Sequence, residues 1–341
     1  MSQPFSARRL LLPLVPLYGS ALAIREFRLL FGLEQVRRLG WPVVSIGNLS
    51  TGGSGKTPLT IELAKLLTGK GFCVDVLSRG YGRRSQLAGR VNPAGDAEEF
   101  GDEPLLIARE AGVPVYVAPR RFDAGLMAEA ELRPGGGENP AAVVHLLDDG
   151  FQHRQLARDV DILILDRRDW QDSLLPAGNL REPLKAARRA SVIAIPANES
   201  TLGGELRRWG WRGPVWRLRR KMEVESMNGP AAAFCGIARP AQFFDGLKAA
   251  GLNLVSERAY PDHHRYTARD LNRLVASARA AGAKALITTE KDLVRLERLS
   301  FRMPESLPIK AAHLRVEIED QPVAIDWLLG KLRSAPIPPP V

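Results

Sequence analysis

Apolar residues follow two rhythms along this chain. Short apolar runs bounded by Gly or Pro stand at 42–47, 72–77, 113–118, 142–147, 161–165 and 191–195, the pattern of strands covered on both faces. Between them, apolar positions recur at three- and four-residue spacing, as at Leu59, Leu63, Leu66 and Leu67 and over 105–111 and 121–132, which predicts helices. Strand alternating with helix gives an α/β fold with a mostly parallel, doubly wound sheet. Residues 215–222 change the rhythm. Trp216, Leu218 and Met222 alternate with Arg217, Arg219 and Lys221, which reads as a half-exposed strand with Arg220 as the exception on its apolar face. Residues 313–318 alternate too, and the two could pair as a ribbon tying a second domain to the first.

That second, smaller α/β domain is expected over 228–307, with strands at 231–236, near 252–256 and at 285–289, and helices over 240–250, from 267 and from 290. Thr267 and Asp270 fit a capping box. The expected organisation is an N-terminal helical segment (1–40), a core (41–214), a linker strand (215–227), the small domain, and a return strand, C-terminal helix and loose Pro-rich tail (308–341). Residues 133–140 read as a Gly-rich exposed loop.

The junction of the first strand with its helix carries the first chemistry. Ser50, Thr51, Gly52, Gly53, Ser54, Gly55, Lys56 and Thr57 lie between them. Glycines let consecutive backbone N–H groups converge on an anion, and the helix N-terminus adds its positive dipole end. Lys56 would reach the β- and γ-phosphates and Thr57 would ligate Mg²⁺. Ser50 stands where the usual pattern has Gly. The element is a P-loop, so the core is of the P-loop NTPase type.

Other loops at strand ends gain meaning beside it. The 142–147 strand ends in Asp148 and Asp149, and a carboxylate there holds or orients Mg²⁺ in P-loop enzymes. Ser78, Arg79 and Tyr81 lie in a Gly-punctuated loop where open α/β sheets bind ligands. Asp102 and Glu103 precede Pro104, and on sequence physics alone they read as a helix cap. His263 and His264 on a loop suit metal binding, proton exchange or plain solvation.

Among 341 residues the net charge is +10 and the pI near 9.9, which favours an anionic partner: nucleic acid, acidic lipid or a phosphorylated substrate. Residues 207–221 interleave tryptophan with basic residues, which suits single-stranded nucleic acid or the half-exposed strand. Cys73 and Cys235, far apart in apolar runs, read as buried thiols of a reducing compartment. Residues 10–24 carry no charge but would span only about 22 Å as a helix, against a bilayer core of about 30 Å. The preferred reading is a membrane-surface helix pair with Arg8, Arg9, Arg25, Arg28, Arg37 and Arg38 toward acidic headgroups. A hairpin on the protein's own core and a signal peptide with an Ala21–Ala23 cleavage motif are the alternatives.

Together these motifs resemble the tetraacyldisaccharide 4'-kinase (lipid A 4'-kinase) family of Gram-negative bacteria. The resemblance rests on GNL at 47–49 with the GGSGKTP loop, SRGYG at 78–82, GDEP at 101–104, DDGFQH at 148–153, LREP at 180–183, PDHHRY at 261–266 and TTEKD at 288–292. It implies transfer of the γ-phosphate of MgATP to the 4'-hydroxyl of a tetraacylated disaccharide 1-phosphate, forming lipid IVA. It also implies a monomer at the cytoplasmic face of the inner membrane, peripheral or N-terminally anchored, with no nucleic-acid partner. Asn48 joins residues 50–57 in binding ATP, and Thr57, Asp148 and Glu103 are the implied metal ligands. Asp102 becomes the catalytic base aided by His263, and Lys56, Asp149 and Arg121 act at the transferring phosphate. Ser78, Arg79, Tyr81, His153 and Glu182 face the acceptor. Asp102 and His263 lie in different expected domains, so they are expected several ångströms apart until closure over MgATP. The rival classes are a P-loop switch without an acceptor and a nucleic-acid-stimulated ATPase.

Overall fold

The structure, a computed structural model, describes residues 7–132, 143–297, 299, 304 and 306–334. The loop expected over 133–140 and the tail over 335–341 lie outside them. Among the described residues twelve strands form one sheet: β1 (Val43–Asn48), β2 (Cys73–Ser78), β3 (Gly89–Arg90), β4 (Val115–Val117), β5 (Val143–Asp148), β6 (Val160–Ile164), β7 (Val192–Pro196), β8 (Val215–Val224), β9 (Ala231–Cys235), β10 (Leu254–Ala259), β11 (Ala285–Thr289) and β12 (Ile309–Ile318). Their order is β10-β9-β11-β12-β8-β7-β6-β1-β5-β2-β4-β3. All pairings are parallel except β8 with β12 and β3 with β4.

The helices are α1 (Val15–Leu30), α2 (Lys56–Gly69), α3 (Ala97–Phe100), α4 (Asp102–Ala111), α5 (Arg121–Glu131), α6 (Arg167–Gln171), α7 (Leu202–Arg208), α8 (Pro240–Ala249), α9 (Ala268–Ala280), α10 (Glu290–Leu296) and α11 (Gln321–Arg333). The unbroken apolar runs follow from cover on both faces. Along β6, Ile162 and Ile164 pack with α2 residues Leu59 and Leu63 and α11 residue Leu328. Leu163 points the other way, with Leu202 and Leu206 of α7. The half around β9 repeats the scheme, Phe234 packing with Leu271 and Leu274 of α9 and Ala233 with Phe243 and Leu247 of α8. The capping box at α9 is formed, Thr267 accepting from the Asp270 N–H and Asp270 from the Thr267 N–H.

The expected ribbon sits in the middle of the sheet rather than beside it. Residues 215–218 of β8 pair with β7, and residues 218–224 pair with β12. Strand β12 starts four residues earlier than its alternation suggested, because Ile309–Ala312 pair in parallel with β11 before the strand turns to β8. Each ribbon strand thus changes partner midway and ties the two halves by backbone hydrogen bonds. Trp216 and Leu218 are buried and Arg217 and Arg219 exposed, as the alternation predicted. Trp209, Trp211 and Trp216 pack inward, so the 207–221 stretch offers none of them as a stacking platform. Cys235 is buried, which pushes its thiol up to about 12. Cys73 is only half-buried, since it opens β2.

At the N-terminus a 3-10 turn (Ala7–Leu14) runs into α1, none of whose residues is buried. Residues Leu10–Leu30 are long and apolar enough to cross a membrane by length and composition alone.

Candidate active site

The P-loop leaves the C-terminal end of β1, and Gly55 closes it in the left-handed region (φ 92°) directly before Lys56 opens α2. Strand β5 lies beside β1 with Ile46 opposite Asp148, so the two carboxylates that end β5 stand at the base of the loop. Lys56 Nζ donates to Asn48 Oδ1 (3.0 Å) and lies 3.6 Å from the Asp149 carboxylate. Arg181 clamps Asp149 with two hydrogen bonds (2.9 and 2.8 Å) and donates to Asn48 Oδ1 at 2.6 Å. Asp149 adopts φ 49°, a strained conformation for a side-chain-bearing residue that surrounding contacts must hold. Burial opposes ionisation of Asp149, but Lys56, Arg181 and Arg121 outweigh it and hold the carboxyl well below its usual range.

Asp148 is buried and accepts from Thr60 Oγ1 at 3.2 Å. Burial, then the charges of Glu103 and Asp149, push its carboxyl up to about 7. The Glu103 and Asp149 charges raise the buried Asp148 carboxyl, and with the buried Thr57 hydroxyl on the same cleft they make a set of hard oxygen donors that fits a Mg²⁺ ion.

The expected gap between Asp102 and His263 is not there. Asp102 Oδ2 lies 3.2 Å from His263 Nδ1 and accepts from Arg295 Nε at 2.6 Å. Arg295 also donates to the Gly236 carbonyl and to Asp292 (2.8 Å each), so a guanidinium fixed on α10 holds the carboxylate and the imidazole side by side. The capping reading of Asp102 also fails: the N-cap is Gly101 (φ 94°) and no side-chain cap bond forms. Burial pushes the Asp102 carboxyl up, and the His263 bond and Arg295 charge more than offset it. His263 takes φ 57° and packs against the Tyr81 ring at 5.4 Å. Glu103, the neighbour, pairs with Lys291, whose charge holds its carboxyl down.

A cleft of about 1340 Å³ joins these groups. Thr51 to Thr57, Ser78, Arg79, Tyr81, Glu103, Arg121, Asp148, Asp149, His153 and His263 all line it. Asn48 and Ser50 lie buried beneath the loop, and Asp102 stands behind His263. On one side Arg25, Arg79, Arg121 and His153 face the cleft. Arg121 is 7% exposed and its Nε has no partner among the described residues. Burial lowers Arg121 to about 10, and burial with the arginines around it lowers His153 to about 3, a neutral imidazole. Glu182 is placed apart: it is buried against Arg189 (2.6 Å) and does not line the cleft.

Four basic residues of the site escaped the sequence reading. Arg181 and Lys291 lie inside the LREP and TTEKD motifs, and only their partners in space, Asp149 and Glu103, mark them as part of the site. Arg220 carried a signal, as the cation on the apolar face of its strand, and its guanidinium donates to the Ser54 carbonyl of the P-loop. Arg295 carried only its three-residue spacing from Asp292.

A sequence model of the LpxK family, described as tetraacyldisaccharide-1-P 4'-kinase, matches residues 7–333. The chain is 40% identical over 328 residues to the tetraacyldisaccharide 4'-kinase of Koribacter versatilis, covering 93% of this chain and 97% of that one. It is 36% identical over 337 residues to the enzyme of the same name from Polaromonas naphthalenivorans, covering 96% and 92%. Among solved structures it is similar to the "apo" form of LpxK from Aquifex aeolicus in complex with ATP, with a TM-score of 0.71, 32% identity, and coverage of 95% of this chain and 99% of that one.

Proposed function

Because the chain belongs to the tetraacyldisaccharide-1-P 4'-kinase family, we propose that it transfers the γ-phosphate of MgATP to the 4'-hydroxyl of tetraacyldisaccharide 1-phosphate, giving lipid IVA. The observation that carries this reading is one cleft lined by both the P-loop and His263, the imidazole that stands with Arg295 against the Asp102 carboxylate. Phosphoryl transfer needs positioning and charge stabilisation more than covalent help. The P-loop N–H groups cradle the phosphates, with Lys56 at the transferring end. Thr57, Asp148 and Glu103 would hold Mg²⁺, which would supply charge neutralisation for the phosphates; Glu103 would have to leave Lys291 to do so. Asp102, oriented by His263 and Arg295, accepts the proton of the attacking hydroxyl. Arg121, buried with an open Nε, meets the negative charge of the phosphoryl group. Ser78, Arg79, Tyr81 and His153 line the acceptor side.

The acceptor's acyl chains direct it to a membrane, where the exposed apolar residues of α1 meet lipid on the cytoplasmic face of the inner membrane. The domain limits read from the sequence stand as part of this proposal: a core over 41–214 and a small domain over 228–307, hinged on the ribbon. Purified protein given γ-labelled ATP and the disaccharide 1-phosphate in detergent tests the reading. Label on the 4'-oxygen is the expected result. Release of inorganic phosphate at the same rate without lipid would point to a switch, and stimulation by DNA or RNA with a steep salt slope to a nucleic-acid ATPase.

A further inference from the structure

Helix α1 has an apolar face suited to lipid, with Leu17 71%, Ile24 62% and Leu30 71% exposed. An anchor needs nothing more. Yet the N-terminal segment also makes polar contacts with the body, and they fall on two short loops. Arg8 donates to Asn179 Oδ1 (2.8 Å), and the Tyr18 hydroxyl donates to the Arg181 carbonyl (2.9 Å). Arg25 donates to the Gln152 carbonyl, and Glu26 pairs with Arg154.

Both loops are bonded to the P-loop's approach. The Asn179 carbonyl accepts the Thr51 N–H (2.8 Å), and the Arg181 N–H donates to the Leu49 carbonyl (2.7 Å). The Arg181 side chain holds Asp149 and Asn48, and Gln152 Nε2 donates to the Asn48 carbonyl (2.9 Å). The loop carrying Asn179 and Arg181 is closed on itself by Leu175 to Leu180 and Leu180 to Ser173 backbone bonds, so it moves as a piece. A shift of α1 is therefore passed to the guanidinium that fixes Asp149 beside Lys56.

We propose that Tyr18 is a positioning residue for phosphoryl transfer: through its hydroxyl, the membrane-facing helix holds the Arg181 clamp in register with the P-loop. The inference rests on the kinase reading above for its effect on turnover, and on geometry alone for the loop. A seated helix then gives a competent site and a displaced helix a slack one, so turnover depends on the lipid surface and not only on lipid capture.

The test is Tyr18→Phe in the full chain, which keeps the ring and removes one hydrogen bond. Expected are a kcat lower by about three- to tenfold, an unchanged KM for lipid, unchanged association with anionic vesicles, and faster amide exchange over residues 173–182. An unchanged kcat overturns the proposal, as does a raised lipid KM with normal kcat, which is the mark of an anchor alone. Unchanged exchange over 173–182 also overturns it. Should the wild-type chain phosphorylate no acceptor, the kinase reading falls, and the exchange result still decides whether Tyr18 holds the loop.

Discussion

Among the described residues, two histidine–aspartate pairs bridge distant parts of the chain, and they sit in different surroundings. His145 on β5 meets Asp75 on β2 at 2.8 Å, with both side chains 0% exposed. His263 meets Asp102 at 3.2 Å, with the side chains 36% and 16% exposed. The first pair is sealed on every side: Glu129 takes the other ring nitrogen at 3.3 Å and Trp41 stacks on the imidazole at 5.2 Å. Burial favours neutral histidine there, but Asp75 and Glu129 prevail and raise it to about 9. It is a fixed charge in the core. The second pair keeps one ring edge toward the cleft, on a residue held at φ 57°. What separates the buried structural pair from the pair proposed to act in catalysis is access, together with a backbone conformation the fold has to enforce.

That contrast breaks most sharply under substitution. Asp102→Ala should lower kcat by about 10²- to 10⁴-fold, the span of a positioned general base, while MgATP affinity stays near wild type and stability falls less than in Asp75→Ala, because Arg295 keeps Asp292. Asp75→Ala should do the reverse. Stripping the fully buried one of the two carboxylates on His145 breaks a buried pair, a loss of about 3–5 kcal/mol that Glu129 only partly offsets, so denaturant unfolding should shift strongly while kcat per folded molecule holds. A smaller effect comes from pH. The folded-state value of His145, about 9, exceeds its ordinary 6.5. Its stabilising contribution is therefore complete below about 6.5 and fades as pH rises through about 9. Unfolding free energy measured across that window should fall with pH in the wild type, and the slope should flatten in His145→Gln.

The two pairs also show what the chain discloses before it is folded. The α/β rhythm, the P-loop and the ribbon strands were legible because apolar periodicity and glycine placement are local. Asp102 and His263 were legible only through short motifs whose order resembles a known family, since on local physics Asp102 is a cap and His263 a solvated loop residue. His145 lies in an apolar strand 70 residues from Asp75, and nothing local marks either as charged. Arg295 and Arg181 were missed for the same reason: their partners come from other elements. The contact of Arg220 with the Ser54 carbonyl likewise exists only because the fold brings β8 within side-chain reach of the P-loop, though the cation on an apolar face was a visible warning.

On the proposed mechanism Asp102 and His263 act as one proton-accepting unit. The direct measurement is a double-mutant cycle on label transfer from γ-labelled ATP to the disaccharide acceptor at saturating substrates, using Asp102→Ala, His263→Ala and both together. The account predicts a large loss for Asp102→Ala, a milder one for His263→Ala, and a double mutant no worse than Asp102→Ala, because removing the base leaves the imidazole nothing to orient. Losses that add in full would contradict it.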